Sequence, residues 1–298
     1  MDQSWHPAGR FLSVDGVRCH VVDLAPSPLA TPLATASEAP PTLVLLHGIA
    51  VSSWAWRHNV DVLARDFRVI ALCQQGHGWS GRPARADYSL AGLSRFVLGA
   101  LDQLGVPHAT FIGNSLGGAV SLWTALHAPA RVERLVLVNP ASHLRQVPWA
   151  ALHTQIAALL PFYRTVLGPT LIRIPLAGLA YRNLAIDRAY LAGIWAPYLR
   201  EGAMAATLAT MRALPAGIAA LDARLPGVAH EALVLWGERD DLLPARTAHR
   251  LVRFLPRARL VTFAASGHCP QEEEPARFNQ VVRSFVHQSI RAPHHATR

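Results

Sequence analysis

The stretch Phe111-Ile-Gly-Asn-Ser-Leu-Gly-Gly118 decides the fold, because it puts one serine on a sharp turn between a strand and a helix. Gly113 and Gly117 each stand two residues from Ser115, giving the pattern Gly-x-Ser-x-Gly. Small residues are needed at those places because such a turn brings strand and helix close together and strains the backbone of the serine. Upstream, Ala109–Ile112 is a short apolar run of β-prone residues. Downstream, Ala119–Leu126 has the length and spacing of a buried helix. A glycine-rich turn whose serine only caps a helix would share the pattern without needing these flanks. Ser115 is therefore the candidate nucleophile.

A serine hydroxyl attacks poorly without a base, an acid to orient that base, and donors for the oxyanion. The segment Phe263–Pro275 places His268 after a strand-like run and before a helix beginning near Pro275, so its loop can return an imidazole to a sheet's carboxyl edge. Ala232–Pro244 reads as a buried strand followed by an acidic turn, where the orienting acid is expected at Asp240 or one of its neighbours. Glu238 and Asp241 share that turn, and no chemistry visible in the sequence separates them from Asp240. The strand over Arg134–Val138 ends in Asn139-Pro140, without a carboxylate. Backbone N–H donors are expected from Leu116 and from Ile49, in the loop after Leu43–Leu46. His47 is expected to hold that loop by hydrogen bonding rather than to act as a second base. Asn114 and Trp54 are the candidate substrate contacts, and Trp56 is expected to pack.

Together His47-Gly48, Gly76-His-Gly-Trp-Ser80, Gly113–Gly118, Trp236-Gly-Glu-Arg-Asp240 and Gly267–Pro275 resemble the α/β-hydrolase superfamily, in the branch with an inserted helical cap. The resemblance covers almost the whole chain. It implies an α/β fold with a mostly parallel eight-stranded sheet flanked by helices, and a catalytic triad of Ser115, His268 and Asp240. The reaction implied is ester hydrolysis through an acyl-enzyme. Carbon–carbon bond hydrolases of the meta-cleavage type also carry Gly-Asn-Ser at the turn, so Asn114 keeps them open, as do lactonases. Those carbon–carbon hydrolases tend to have Trp after the catalytic His, where this chain has Cys269. Epoxide hydrolases and haloalkane dehalogenases use an Asp at the turn, and Ser115 argues against both. A hydrolase-fold ligand-binding protein is the non-enzyme reading, disfavoured because a binder has no need of the whole triad. The family usually has an Asp three residues before Gly-His-Gly and often a Pro just before it. Here those positions are Cys73 and Gln75, which puts the turn's geometry in question more than the reaction.

With 298 residues, 51% of them apolar, the chain can bury one large α/β core and a lid. The core is expected over residues 1–140 and 230–298, and the cap over 141–229. Strand candidates are Gly16–Val22, Thr42–Leu46, Arg68–Leu72, Ala109–Ile112, Arg134–Val138, Ala232–Leu235 and Arg259–Phe263. Most are continuously apolar, as parallel strands covered on both faces require. The first is expected as an antiparallel edge by resemblance, and the Pro- and Ala-rich residues 25–41 as a surface loop. Through the cap, Pro161, Pro169, Pro175, Pro197 and Pro215 should break the helices. Residues 149–163 carry no formal charge and 171–181 only Arg173, which predicts an apolar wall and an apolar acyl or alcohol group. Packing of those faces on the core is the alternative.

The net charge is +9, but the arginines are scattered and no nucleic-acid module is visible. Arg164, Arg173 and Arg182 within apolar sequence leave peripheral membrane contact as a weaker expectation. The N-terminus lacks a basic start with an apolar core, and His153, Gln155 and Pro161 interrupt the uncharged cap run, so a cytoplasmic protein is expected. Cys19, Cys73 and Cys269 lack metal-ligand spacing, which predicts free thiols, no disulfide and no metal. No cofactor is expected, the partner is a small apolar molecule, and the tail 291–298 should be disordered.

Overall fold

The computed structural model describes residues 4–26, 40–143 and 180–291. Its strands are β1 (Gly9–Val14), β2 (Val17–Leu24), β3 (Thr42–Leu46), β4 (Arg68–Leu72), β5 (Ala109–Asn114), β6 (Val132–Val138), β7 (Glu231–Gly237) and β8 (Ala258–Phe263). They form one eight-stranded sheet in the order β1-β2-β4-β3-β5-β6-β7-β8. The β1–β2 and β2–β4 pairs are antiparallel and every later pair is parallel. From β3 the chain first winds to β4 on one side and then back to β5 on the other. That reversal opens a crevice at the carboxyl ends of β3 and β5, where open α/β sheets bind their ligands.

Successive strand residues point to opposite faces, and here both faces are covered. Leu43 and Leu45 belong to one apolar cluster with Trp56, Phe67, Phe278 and Phe285, whereas Val44 and Leu46 belong to another with Phe111, Leu116, Val120 and Trp236. A strand between two such layers has to be apolar at every position, which is the continuous pattern the sequence carries. Each large side chain so buried contributes about 1.5–3 kcal/mol.

The helices are α1 (Val60–Leu63), α2 (Leu90–Gln103), α3 (Leu116–His127), α4 (Arg188–Tyr198), α5 (Ala203–Asp222), α6 (Arg246–Phe254), α7 (Pro270–Glu273) and α8 (Pro275–Arg291). Between the neighbouring strands β6 and β7 the chain makes a long excursion that includes α4 and α5. Helix α5 is long and apolar enough by composition to cross a membrane, yet it packs on α2 and α3 and buries Ile218 and Leu221 in the core. Pro197 and Pro215 lie inside α4 and α5 rather than between helices. The other cap prolines, Arg164, the residues 149–163 and most of 171–181 lie outside the described residues, as do most of 25–41 and the tail 292–298.

One strand expectation is corrected. The edge is β1, and the segment expected there is β2, the second strand in. Asp15 (φ 48°) and Gly16 (φ 78°) form a two-residue turn with left-handed backbone, the kind that joins tight hairpins. Asp-Gly between β-prone runs signals such a hairpin, and it adds the strand Gly9–Val14.

Candidate active site

Ser115 joins β5 to α3 with φ 52° and ψ −113°. A non-glycine residue held there costs on the order of 1–3 kcal/mol and persists only where its surroundings fix it. They do so: Ser115 N–H donates to Val138 O at 3.0 Å, and Ser115 O accepts from Ala119 N at 3.1 Å and Ala141 N at 3.0 Å. A Cβ on Gly113 would lie 2.3 Å from Gly117 O, and one on Gly117 2.1 Å from Leu46 O. Both glycines are therefore obligatory. Ala50 and Asn139 share positive φ with Ser115. Among the described residues only Asp15, in the β1–β2 hairpin, is a further non-glycine case, so the strain concentrates at one sheet edge.

On the acid and base side, His268 Nδ1 lies 2.7 Å from Asp240 Oδ2, and both residues are buried. Asp240 Oδ1 accepts the N–H groups of Leu242 at 2.8 Å and Leu243 at 2.9 Å, and Oδ2 also accepts from Asn139 Nδ2 at 2.6 Å. These bonds fill the acceptor capacity of an ionised carboxylate, so Nδ1 is the ring nitrogen that carries a proton toward it, and in the neutral imidazole the lone pair is on Nε2. Asn139, at the end of β6, also accepts from Gly237 N at 3.2 Å. Geometry separates the acidic neighbours that the sequence left open. Asp241 pairs with Arg182, and Glu238 is exposed.

Glu273 holds the histidine loop from below. Its carboxylate accepts N–H bonds from Gly267 (2.9 Å) and Cys269 (3.2 Å), on either side of His268, and from Arg182 (2.7 Å) and Asn183 (3.1 Å) of the returning excursion. His268 N–H donates to Ala180 O at 2.7 Å. Among the described residues no hydrogen bond joins the Ser115 hydroxyl to His268; such contacts tighten when substrate binds.

Across from the histidine loop, a Cβ on Gly48 would lie 3.5 Å from Ser115 Cβ, so the loop after β3 runs beside the serine. Ile49 follows Gly48, with its side chain packed on the core. Leu116 is the first residue of α3, where the N–H has no intrahelical partner. His47 Nε2 accepts from Gln74 N at 3.0 Å, its Nδ1 lies 2.7 Å from Gly48 O, and Gln74 Nε2 donates to His47 O at 2.7 Å. Burial, then the nearby His77, bring its pKa down to about 3. His47 is thus a neutral brace of the loop.

Asn114 departs from its expected role as a substrate contact. Its amide donates to Val138 O at 3.2 Å and His268 O at 3.1 Å, tying the serine turn to the histidine loop inside the protein. Both amide protons are engaged there. Trp56 is fully buried against Phe278, as a packing residue. Trp54 is half-buried, edge-on to Tyr190, with the Arg57 guanidinium 3.7 Å above its ring. Arg57 in turn pairs with the buried Glu272 at 2.5 Å, and Glu272 accepts from Tyr181 Oη at 2.9 Å. Tyr190 Oη donates to Tyr181 Oη. Burial pushes the Glu272 carboxyl up, against the opposing charge of Arg57. Sequence reading did not find the parts played by Asn139, Glu273 or this Arg57–Glu272–Tyr181 link, although the run of glutamates before Pro275 was in view. Cys269 is buried among them, and burial, then Glu272 and Glu273, hold its thiol well above the usual range.

The family model for the alpha/beta hydrolase fold matches residues 41–275. The chain belongs to this family. It is a hydrolase, and its relatives include 2-hydroxymuconate semialdehyde hydrolase of Pseudomonas sp. (strain CF600), 32% identical over 255 residues, covering 82% of this chain and 86% of the relative. A 2-hydroxy-6-oxo-2,4-heptadienoate hydrolase of Pseudomonas putida is 29% identical, covering 82% and 88%. The solved enol-lactonase of Burkholderia xenovorans LB400 superposes with a TM-score of 0.75 at 24% identity, over 93% of this chain and 99% of that one, which shows a shared fold.

Proposed function

We propose that this hydrolase cleaves a carboxylic ester with a small to medium apolar acyl or alcohol group, through an acyl-enzyme on Ser115. The observation that carries the reading is the saturated Asp240–His268 pair, which directs the Nδ1 proton to the carboxylate, on a loop tied through Asn114 to the strained turn that holds Ser115. Ser115 Oγ attacks the carbonyl carbon while His268 Nε2 takes its proton. The Ile49 and Leu116 N–H groups receive the oxyanion. Collapse expels the alcohol, which leaves with the proton from His268. Water, deprotonated by His268, then attacks the acyl-enzyme; the acid departs and Ser115 regains its proton. Asp240 holds the imidazole tautomer and stabilises the imidazolium. The excursion between β6 and β7 acts as the cap. Ile186, Ile194, Tyr190, Trp54 and Val51, clustered with Cys269 next to His268, favour an apolar group.

The relatives named above support a second reading, hydrolysis of a carbon–carbon bond by the same groups, and the same site suits a lactone. A panel of p-nitrophenyl esters of increasing acyl length, run beside 2-hydroxymuconate semialdehyde and an enol-lactone, decides among them. The ester reading predicts highest kcat/KM on an ester. Turnover of the semialdehyde at higher kcat/KM than every ester would replace it with carbon–carbon cleavage.

A further inference from the structure

Cys73 follows β4 and is fully buried. Three groups able to donate converge on its sulfur: Ser53 N–H at 3.4 Å, the Ser53 hydroxyl at 3.3 Å and His20 Nδ1 at 3.5 Å. The Ser53 hydroxyl already accepts from Trp5 Nε1 at 2.9 Å, so its own proton is directed to the sulfur or to His20 Nδ1, also at 3.5 Å. His20 Nε2 lies 2.9 Å from Ser4 Oγ. A neutral thiol is a weak acceptor, whereas a thiolate satisfies every one of these donors. A Cβ on Gly78 would lie 2.4 Å from the sulfur, so the backbone of the following turn closes over it.

We infer that Cys73 is held as a thiolate paired with His20, and that this buried charge is a positioning device for the oxyanion donor Ile49. The titratable groups facing it are His20 and Cys19 from β2 and Arg82 from the following turn. Burial alone would push the thiol up, but the hydrogen bond and charge of His20, with the two bonds from Ser53, outweigh it and bring it below its usual range. The link to Ile49 runs through the two ends of its loop. Ser53 ends the loop after β3, while Gln74, next to Cys73, grips His47 at its start. Residues 73 and 74 thus clamp that loop at both ends, with Ile49 between.

The positioning half rests on the reading of Ser115 and Ile49 above; the thiolate half does not. Absorbance at 240 nm, compared between wild type and Cys73→Ser, is expected to show one thiolate per chain at pH 7. Burial keeps Cys19 and Cys269 protonated there, so they add nothing to the signal. The wild type alone, titrated downward in pH while folded, gives the same reading if the variant fails to fold. Absence of thiolate absorbance at pH 7 would overturn the inference. On an ester the wild type cleaves, Cys73→Ala should lower kcat about tenfold with KM within about twofold, and Cys73→Asp, which restores a buried anion, should recover most of it. Unchanged kcat in folded Cys73→Ala would remove the positioning role. Inactive wild type showing the 240 nm signal would sink the ester reading and leave the thiolate standing.

Discussion

The two loops that flank Ser115 do the same job with different chemistry. The histidine side is held by carboxylates: Asp240 and Glu273 accept eight N–H donors between them, at 2.6–3.2 Å. The loop after β3, with the proposed oxyanion donor Ile49, is held by neutral His47, by Gln74 and by the sulfur of Cys73, whose contacts run to 3.3–3.5 Å. Charge-assisted bonds are about twice as strong as neutral ones. Around the loop after β3 only the long contacts to the Cys73 sulfur carry charge, while those through His47 and Gln74 are neutral, so the histidine is fixed the more rigidly. A general base must keep one tautomer and one direction through proton transfers in both half-reactions.

The comparison breaks most readily at Asp240. Asp240→Asn should lower kcat about 10⁴-fold by allowing the wrong imidazole tautomer, and should also lower stability because one of two oxygens that accept four donors becomes an amide group facing Asn139 Nδ2, as steady-state rates and a thermal melt would show. A loss under tenfold would mean that His268 does not depend on it. Glu273→Gln offers one acceptor oxygen where two now serve four N–H groups. Each buried N–H left unpaired costs about 1–3 kcal/mol, so chemical denaturation should show lowered stability and kcat should fall more than KM changes.

Acid sharpens the contrast. Burial first, and a neighbouring cation or histidine in addition, bring His47 to about 3 and His77 to about 4. Both are neutral in the folded chain and take up protons on unfolding below pH 6.5. Stability should therefore fall as pH drops from 6.5 toward 4, by about 1.4 kcal/mol per pH unit for each histidine, and urea melts across that range should be flatter for His77→Asn. An equally steep dependence in the variant would contradict the assignment to His77. The smallest effect is expected at Tyr181→Phe, about 1 kcal/mol of stability from the lost bond to Glu272, with a shifted acyl-length profile as the cap moves on Arg57 and Trp54.

The legible side of the site is the one built on carboxylates. Asp240 and His268 stand in loops after strands whose continuous apolar runs announce them, and Gly113 and Gly117 report a close approach that the backbone bears out. Asn139 carries no signal of its role in sequence, because the carboxylate it supports, Asp240, follows a different strand. Asn114 looked like a substrate contact because a polar residue beside Ser115 faces the site in one dimension; in three, its amide bridges two loops. The hairpin strand β1 was missed because Gly9–Val14 is half-polar, as an edge strand should be. The sulfur at position 73 carries no signal in sequence beyond being unexpected, since its partners His20 and Ser53 lie on other elements.

The central claim is that Ser115 is an activated nucleophile, and a fluorophosphonate probe followed by intact-protein mass spectrometry tests it most directly. Wild type should gain the mass of one phosphonyl group, Ser115→Ala none, and His268→Ala far more slowly than wild type. Equal labelling of wild type and Ser115→Ala, or none of folded wild type while it turns over an ester, would contradict the account.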